Sequence, residues 1–566
     1  MRKNIDIETA EQAVWALRSM NTTMAYGRGD EIHKMTRYCD SQSAITPLLV
    51  IGGSGAGKSS LMLKFMLHYL DFKDPNQLDA IISKGWRRRA KMMFLSHFTC
   101  ASCSARNPVR MLKRFCTRIA AHFHLNKPED VPGDYLGLCK RFHSYCHSVG
   151  TSFRGDMLLV MVDSRDELDF WNINKESYIP EHEASIVDWV PEKLTTMPLF
   201  PVRMILAVDP DADPETARRL RNMQKSWEIN EITLESMDRD KRMEALRTIL
   251  GTKSRSAFDL EKVIRNLSKM DACGVPMFMH YAVHEISLNN ATPEEMETRL
   301  QHLPKNVSDL CFQAILRVEK AVDGGTGYVR EILMLLACTR RGLLESELWQ
   351  LIKMQSASVR RRPKYYRFVA ALQGLGPFFR VSPTFVDRGG EHCYNLCNGL
   401  FSRIITVRFI ANSHTEQLYH RKIADLFYQV FLALNLERLT NGADRWLHCR
   451  IITDEQARGL GEVVYHAGQA HMFTEVRELL CSLRFIELRI MFDQLAELLQ
   501  DYNICIRVMK QYGHVDGLQQ LEDFYLFVKI NAFDLAARPS NTFQLAANSP
   551  IQTAVAVVSR AMLACG

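Results

Sequence analysis

The chain has 566 residues, is 47% hydrophobic and 24% charged, and carries a formal net charge of +7. That balance is ordinary for globular protein, and the length allows roughly three or four domains of ~150 residues, with cores large enough to need no staples. So small a charge permits an acidic partner without arguing for one. The start, MRKNIDIETAEQ, turns acidic at once and has no apolar stretch, so it does not read as a signal peptide. No apolar run approaches the ~20 residues needed to cross a bilayer, so a soluble, cytoplasmic location without membrane contact is expected.

Residues 1–40 read as a helical lead-in. Short apolar runs then alternate with helical patterns through 41–235: PLLVI (47–51), MMFLSHF (92–98), MLLVMVD (157–163), VRMILAVD (202–209) and a weaker EINEITL (228–234). Short continuous runs of Val, Ile and Leu are buried strands of a parallel sheet. Strands separated by helices imply an α/β core with helices on both faces of the sheet. From 236 to 326 the apolar spacing is three and four, as in MDRDKRMEALRTIL and LEKVIRNLSKM, which predicts a helical domain. Residues 327–412 run helix, helix, then FFRVSPTFVDRGGEHCYNL, a hairpin with Asp-Arg-Gly-Gly at its turn and hence a winged-helix domain. Helices resume through 413–566 as an α-helical region. Fifteen cysteines are scattered without regular spacing and read as reduced core thiols. Cys100 and Cys103 supply only half of a zinc site, and no matching pair follows.

The segment GGSGAGKS (52–59) fits G-x-x-x-x-G-K-[ST], between a buried strand and the helical pattern SLMLKFMLHYL, which is the setting a P-loop requires. Gly52, Gly53, Ser54, Gly55, Ala56, Gly57, Lys58, Ser59 and Ser60 form the expected cradle for ATP or GTP. Gly52, Gly55 and Gly57 let the backbone curl so that N–H groups point at phosphates, and the following helix adds its positive end. Lys58 reaches the β- and γ-phosphates, and the Ser59 hydroxyl is offered to Mg²⁺. The second acidic site follows the strand MLLVMVD. Asp163 is placed to hold Mg²⁺ through water, and Asp166 and Glu167, just beyond, are the candidates to orient or deprotonate the attacking water.

YGRGDE (26–31), GGSGAGKS and VDSRDEL together resemble the signal-transduction ATPases with numerous domains, specifically their NACHT-type branch and, within it, the nephrocystin and NACHT–WD-repeat proteins. LPKNVSDLCFQAIL and VREILMLLACTRRGLLESELWQLI resemble the family's lead into its winged helix. VVYHAGQ and ELLCSLRFIELR resemble its C-terminal helices, and FVKINAFDL with QLAANSP the segment before its TPR or WD repeats. The resemblance implies that Gly27 and Arg28 lie near the adenine, and that Gly274, Val275 and Pro276 are the element packing on the nucleotide from the helical domain. Two departures stand out. The fourth strand ends AVDPD, where many relatives carry an arginine that senses the γ-phosphate, and Arg203 starts that strand, at its other end. Asn398, in LCNGLF, takes the place of a histidine that touches the β-phosphate in relatives, and it can donate a hydrogen bond without carrying charge. A chain stopping where the repeats would begin is expected to be a truncated form, and a family resemblance of this kind allows association with a cilium or flagellum.

These readings lead to a nucleotide-dependent signalling or scaffold switch with slow hydrolysis, whose output is a protein partner or self-association. The competing readings are a scaffold that binds nucleotide without turnover, a small-acceptor kinase, and a winged-helix nucleic-acid binder. The last draws on the basic and aromatic run SVRRRPKYYRF (358–368) and on WRRRAKMM, whereas charge runs are more often solvated surface.

Overall fold

The computed structural model describes residues 8–564 apart from 14, 17–18, 20–26, 42–43, 71–91, 103–104, 126–134, 152–156, 164–167, 169–187, 192–193, 195–201, 224–230, 252–259, 324–326, 357–363, 384–390, 398, 411, 441–453 and 515. Asp166, Glu167, Asn398, Cys103 and the arginine triplets at 87–89 and 360–362 thus lie outside the described residues.

Five apolar runs form one parallel sheet: β1 (Leu48–Ile51), β2 (Met92–Phe98), β3 (Met157–Asp163), β4 (Val202–Val208) and β5 (Glu231–Thr233), in the order β2-β3-β4-β1-β5. Every described pairing is parallel, with Ile51 opposite both Val208 and Thr233, and Phe98 opposite Asp163. Side chains alternate between two cores, as the two-residue strand period requires. Leu49 and Ile51 face the side covered by α3 (Pro108–Phe123), α4 (Tyr135–Thr151) and α5 (Pro214–Met223). Leu48 and Val50 face α1 (Gly29–Asp40) and α2 (Lys58–Tyr69). This is the doubly covered α/β core expected of the sequence, and its strands register closely with the five runs.

The edge strand β2 is closed by the lead-in. The Gln12 side chain accepts from the Phe98 N–H at 2.7 Å and donates to the Phe98 carbonyl at 3.1 Å, as a neighbouring strand would. Unpaired edge groups invite association, and a helix side chain here satisfies those of Phe98.

Beyond β5 the chain is almost wholly helical. The first group is α6 (Arg239–Gly251), α7 (Glu261–Ser268), α8 (Pro276–Ile286), α9 (Pro293–Gln301) and α10 (Val307–Val318). The next segment runs α11 (Tyr328–Ala337), β6 (Leu343–Leu344), α12 (Glu345–Ser356), α13 (Tyr365–Gly374), β7 (Phe379–Pro383) and β8 (His392–Leu396). Its strands form an antiparallel sheet ordered β6-β8-β7. The hairpin β7–β8 was expected, and β6 was not. The C-terminal helices include α14 (Gly399–Phe409), α15 (Ser413–Thr440), α16 (Asp454–Gln469) and α17 (Leu495–Gln511). One continuous apolar core runs from Met237 to Val555 through all of these helices. Among the described residues, every cysteine but Cys397 is buried, and no helix is long and apolar enough to cross a membrane.

The two halves are joined by polar contacts. The Asn107 side chain caps α3 by accepting from the N–H groups of Val109 and Arg110, and donates its amide to Glu497 at 2.8 Å. Arg110 meets the same carboxylate at 3.1 Å, and Lys113 meets Asp493 at 2.5 Å. Arg106 donates to the Arg340 carbonyl at 3.3 Å.

Candidate functional site

The cradle begins where β1 ends. Gly52 donates its N–H to Val208 of β4 at 3.2 Å, so the loop leaves the sheet between two paired strands. Gly55 has φ +83° and Gly57 φ +92°, left-handed values that cost L-residues energy and suit glycine. Gly57 is the N-cap of α2, so the helix starts at Lys58 with its free N–H groups facing the loop. The loop glycines curl as the motif requires, and Ser59 and Ser60 form the first turn of α2.

Lys58 folds back over its own loop. Its ammonium donates to the Gly52 carbonyl at 2.6 Å and the Gly53 carbonyl at 3.3 Å, and lies 3.6 Å from a carboxylate oxygen of Asp209. Both residues are buried, Lys58 at 7% exposure and Asp209 at 2%. Asp163 ends β3, is fully buried, and is separated from β1 by β4 alone. At strand spacings of about 4.8 Å, that sets the two strands roughly 10 Å apart at the same end of the sheet. A hydroxyl from Ser59, a buried carboxylate from Asp163 and an ammonium from Lys58 make a donor set that fits a Mg²⁺–polyphosphate.

The helical region closes over this loop. The Met277 N–H donates to the Gly55 carbonyl at 3.3 Å. A Cβ on Gly55 would stand 2.7 Å from the Met277 Cβ, and one on Gly57 would stand 3.5 Å from the Pro276 ring. Pro276 opens α8 at its first turn, where a missing N–H costs nothing. The approach is fixed from behind: Gly274 accepts from the Met237 N–H at 3.0 Å, and a Cβ there would lie 1.9 Å from the Ser236 hydroxyl. Arg242 ties the same turn by donating to the carbonyls of Met237, Ser268 and Met270.

Gly27 and Arg28 lie at the start of α1, facing the segment after β5. Gly27 has φ +62°, with Lys241 filling the space where a Cβ would stand. Arg28 is buried, donates to the Glu235 carbonyl at 2.8 Å and pairs with Glu31 at 2.9 Å. Leu234 in turn donates to the Ile51 carbonyl at 2.7 Å and closes on Gly52. The structure therefore brings the loop, Asp163, Pro276 and the Gly27–Arg28 turn to one end of the sheet. Arg203 sits at the opposite end of β4, buried and donating to the carbonyls of Val202 and Ser41. It serves the fold there.

Sequence reasoning missed Asp209 and Met277. Asp209 carried a visible signal, an acidic residue directly after an apolar strand, as in the Asp163 segment.

The strand order with a glycine loop between β1 and α2 defines a P-loop NTPase fold. Residues 455–564 match the family described as the APAF-1 helical domain. No curated protein matches the chain. Several solved structures are similar. A Signal Transduction ATPase with Numerous Domains protein with a tetratricopeptide repeat sensor, from Pyrococcus horikoshii, is 11% identical over 92% of this chain and 70% of its own, with TM-score 0.37. The Aeropyrum pernix ORC2 protein is 11% identical over 68% and 94%, with TM-score 0.29. DnaA from Aquifex aeolicus, solved with AMPPCP, is 12% identical over 62% and 87%, with TM-score 0.25. Superpositions this loose define neither ligand nor activity for this chain.

Proposed function

We propose that this chain is a STAND-type nucleotide switch: it holds ATP or GTP with Mg²⁺ in the 52–60 cradle, hydrolyses it slowly, and changes its domain arrangement and its protein or self-association with the nucleotide state. The observation that carries this reading is the contact of Met277 and Pro276 with Gly55 and Gly57. A phosphate in the cradle would lie on a loop of the sheet domain that the first turn of α8 touches. Its terminal phosphate shifts their orientation to the extent that the two arrangements bind di- and triphosphate unequally. The match of 455–564 to the APAF-1 helical domain supports a switch over a small-acceptor kinase, which has no use for so much helical material. The divisions at 40, 235, 326 and 412 belong to the same proposal, as do the NACHT-type and nephrocystin-like assignments.

Asp163 holds the metal in this reading, Gly27 and Arg28 flank the base, and Asp166 or Glu167 handles the attacking water. Hydrolysis is slow in this reading because the fourth strand ends AVDPD without the arginine that many relatives carry there, and an arginine finger is worth ~10³-fold or more. The test is single-turnover hydrolysis. Asp166→Asn and Glu167→Gln are expected to leave nucleotide binding intact, and at least one to suppress turnover. Parental rates in both would assign the water to another group.

One observation favours nucleic acid as a partner. Tyr366, at the start of α13, is 63% exposed, with Lys364 6.0 Å from its ring centre. Such a role would show as salt-sensitive oligonucleotide binding.

A further inference from the structure

Three aspartates crowd the phosphate end of the cradle. Asp209 follows β4 directly, next to the strand from which Gly52 departs. One of its carboxylate oxygens accepts from the N–H groups of Asp211 at 3.0 Å and Ala212 at 3.2 Å, which fixes the carboxylate. The other oxygen faces Lys58 at 3.6 Å. Asp211 is exposed, and its carboxylate oxygen stands 3.6 Å from where a Cβ on Gly53 would lie. Asp163 ends the next strand over and is fully buried.

Two and three phosphates would meet this arrangement differently. The N–H groups of a P-loop hold the inner phosphates, and the lysine meets the β- and γ-phosphates. Here the lysine's charge is already shared with Asp209. A diphosphate brings only its β-phosphate to Lys58 and is held mainly by the loop N–H groups and the start of α2. A third phosphate would add its charge at the same ammonium, beside the Asp209 carboxylate, with Asp163 across β4. Like charges at such separations repel strongly in a partly buried site, and a bound dication reverses the local balance.

Resting on the reading that the cradle holds a nucleotide, we propose that Asp209 is the specificity-determining residue for phosphate number. It disfavours a free nucleoside triphosphate, leaves the diphosphate nearly unaffected, and makes triphosphate entry depend on Mg²⁺.

The test is equilibrium binding of fluorescent ADP and of a fluorescent non-hydrolysable ATP analogue to the full chain, with Mg²⁺ and with EDTA. In EDTA the parent is expected to bind the triphosphate about tenfold or more weaker than the diphosphate, and Mg²⁺ to close the gap. Asp209→Asn keeps the oxygen that the Asp211 and Ala212 N–H groups need. In EDTA it is expected to tighten the triphosphate by about tenfold or more and the diphosphate by less than about threefold. Asp209→Ser, a shorter acceptor for the same N–H groups, gives the same comparison if the asparagine variant misfolds. Equal tightening of both nucleotides would reduce Asp209 to a counterion and overturn the proposal. So would weakening of both, or parental affinities in both variants. A parent that binds neither nucleotide would instead overturn the underlying reading of the cradle, and this proposal with it.

Discussion

Replacing Lys58 by alanine is expected to weaken nucleotide binding at least tenfold, about 1.4 kcal/mol. The expectation rests on where the ammonium stands: over the loop, within hydrogen-bonding distance of the Gly52 carbonyl and 3.6 Å from Asp209. In the parent an arriving phosphate replaces those carbonyls as the lysine's partner. In the variant the phosphate meets the Asp209 carboxylate with no lysine charge between them, so lost attraction and added repulsion work in the same direction. The glycine curl of the loop does not depend on the Lys58 side chain, and the fold is expected to survive. A fluorescent nucleotide bound as tightly by the variant as by the parent would contradict the assignment of the cradle.

The largest expected effect on stability is at Glu462, far from that site. It lies on α16 and is 2% exposed. It pairs with Arg340 and Arg341, each at 3.1 Å, in the loop between α11 and β6. Arg340 also lies over the Tyr465 ring at 4.5 Å. Burial by itself would raise the Glu462 carboxyl, but the two arginines outweigh it and hold it down at about 2. Glu462→Gln leaves two nearly buried guanidinium groups without their counter-charge, a change that costs about 3–5 kcal/mol when a buried pair is broken. A urea unfolding series on parent and variant checks it, and a difference under about 1 kcal/mol would contradict it. The pH dependence follows from the direction of the shift. A carboxyl depressed in the folded state contributes fully above its unfolded value of ~4.3 and loses that contribution as pH falls to the folded value. The gap between parent and variant is therefore expected to be flat from neutral pH down to about 5 and to shrink towards pH 2.

The parallel sheet was legible because its strands are buried on both faces. Runs such as VRMILAVD have no polar alternation to confuse with a surface strand, and their ends fell within a few residues of the structure. The cradle was legible because Gly55 and Gly57 need left-handed backbone that few other residues adopt. β6 was not legible: Leu343 and Leu344 are only two residues, running straight into α12, and too short to show a period. The contact of α8 with the loop was visible only through resemblance, since Gly-Val-Pro by itself reads as a helix break. The link between Asn107 and Glu497 spans 390 positions of the chain. No local pattern announces a pair whose members are, each on its own helix, an ordinary cap and an ordinary polar residue. Asp209 was visible as a residue and not as a role, because its meaning comes from Lys58 turning towards it.

In the proposed switch, a nucleotide in the cradle controls how the sheet domain and the helices beyond it are arranged. Solution scattering on the full chain tests this most directly, at matched protein concentration and confirmed saturation with ADP or with a non-hydrolysable triphosphate and Mg²⁺. The diphosphate form is expected to be a closed monomer, with the Asn107–Glu497 and Lys113–Asp493 contacts intact. The triphosphate form is expected to show a larger radius, a larger mass, or both. A tenfold bias between the two arrangements needs only ~1.4 kcal/mol of differential binding, about one charge-assisted hydrogen bond. Identical radii and masses in the two states would contradict the switch and leave a nucleotide-binding scaffold in its place.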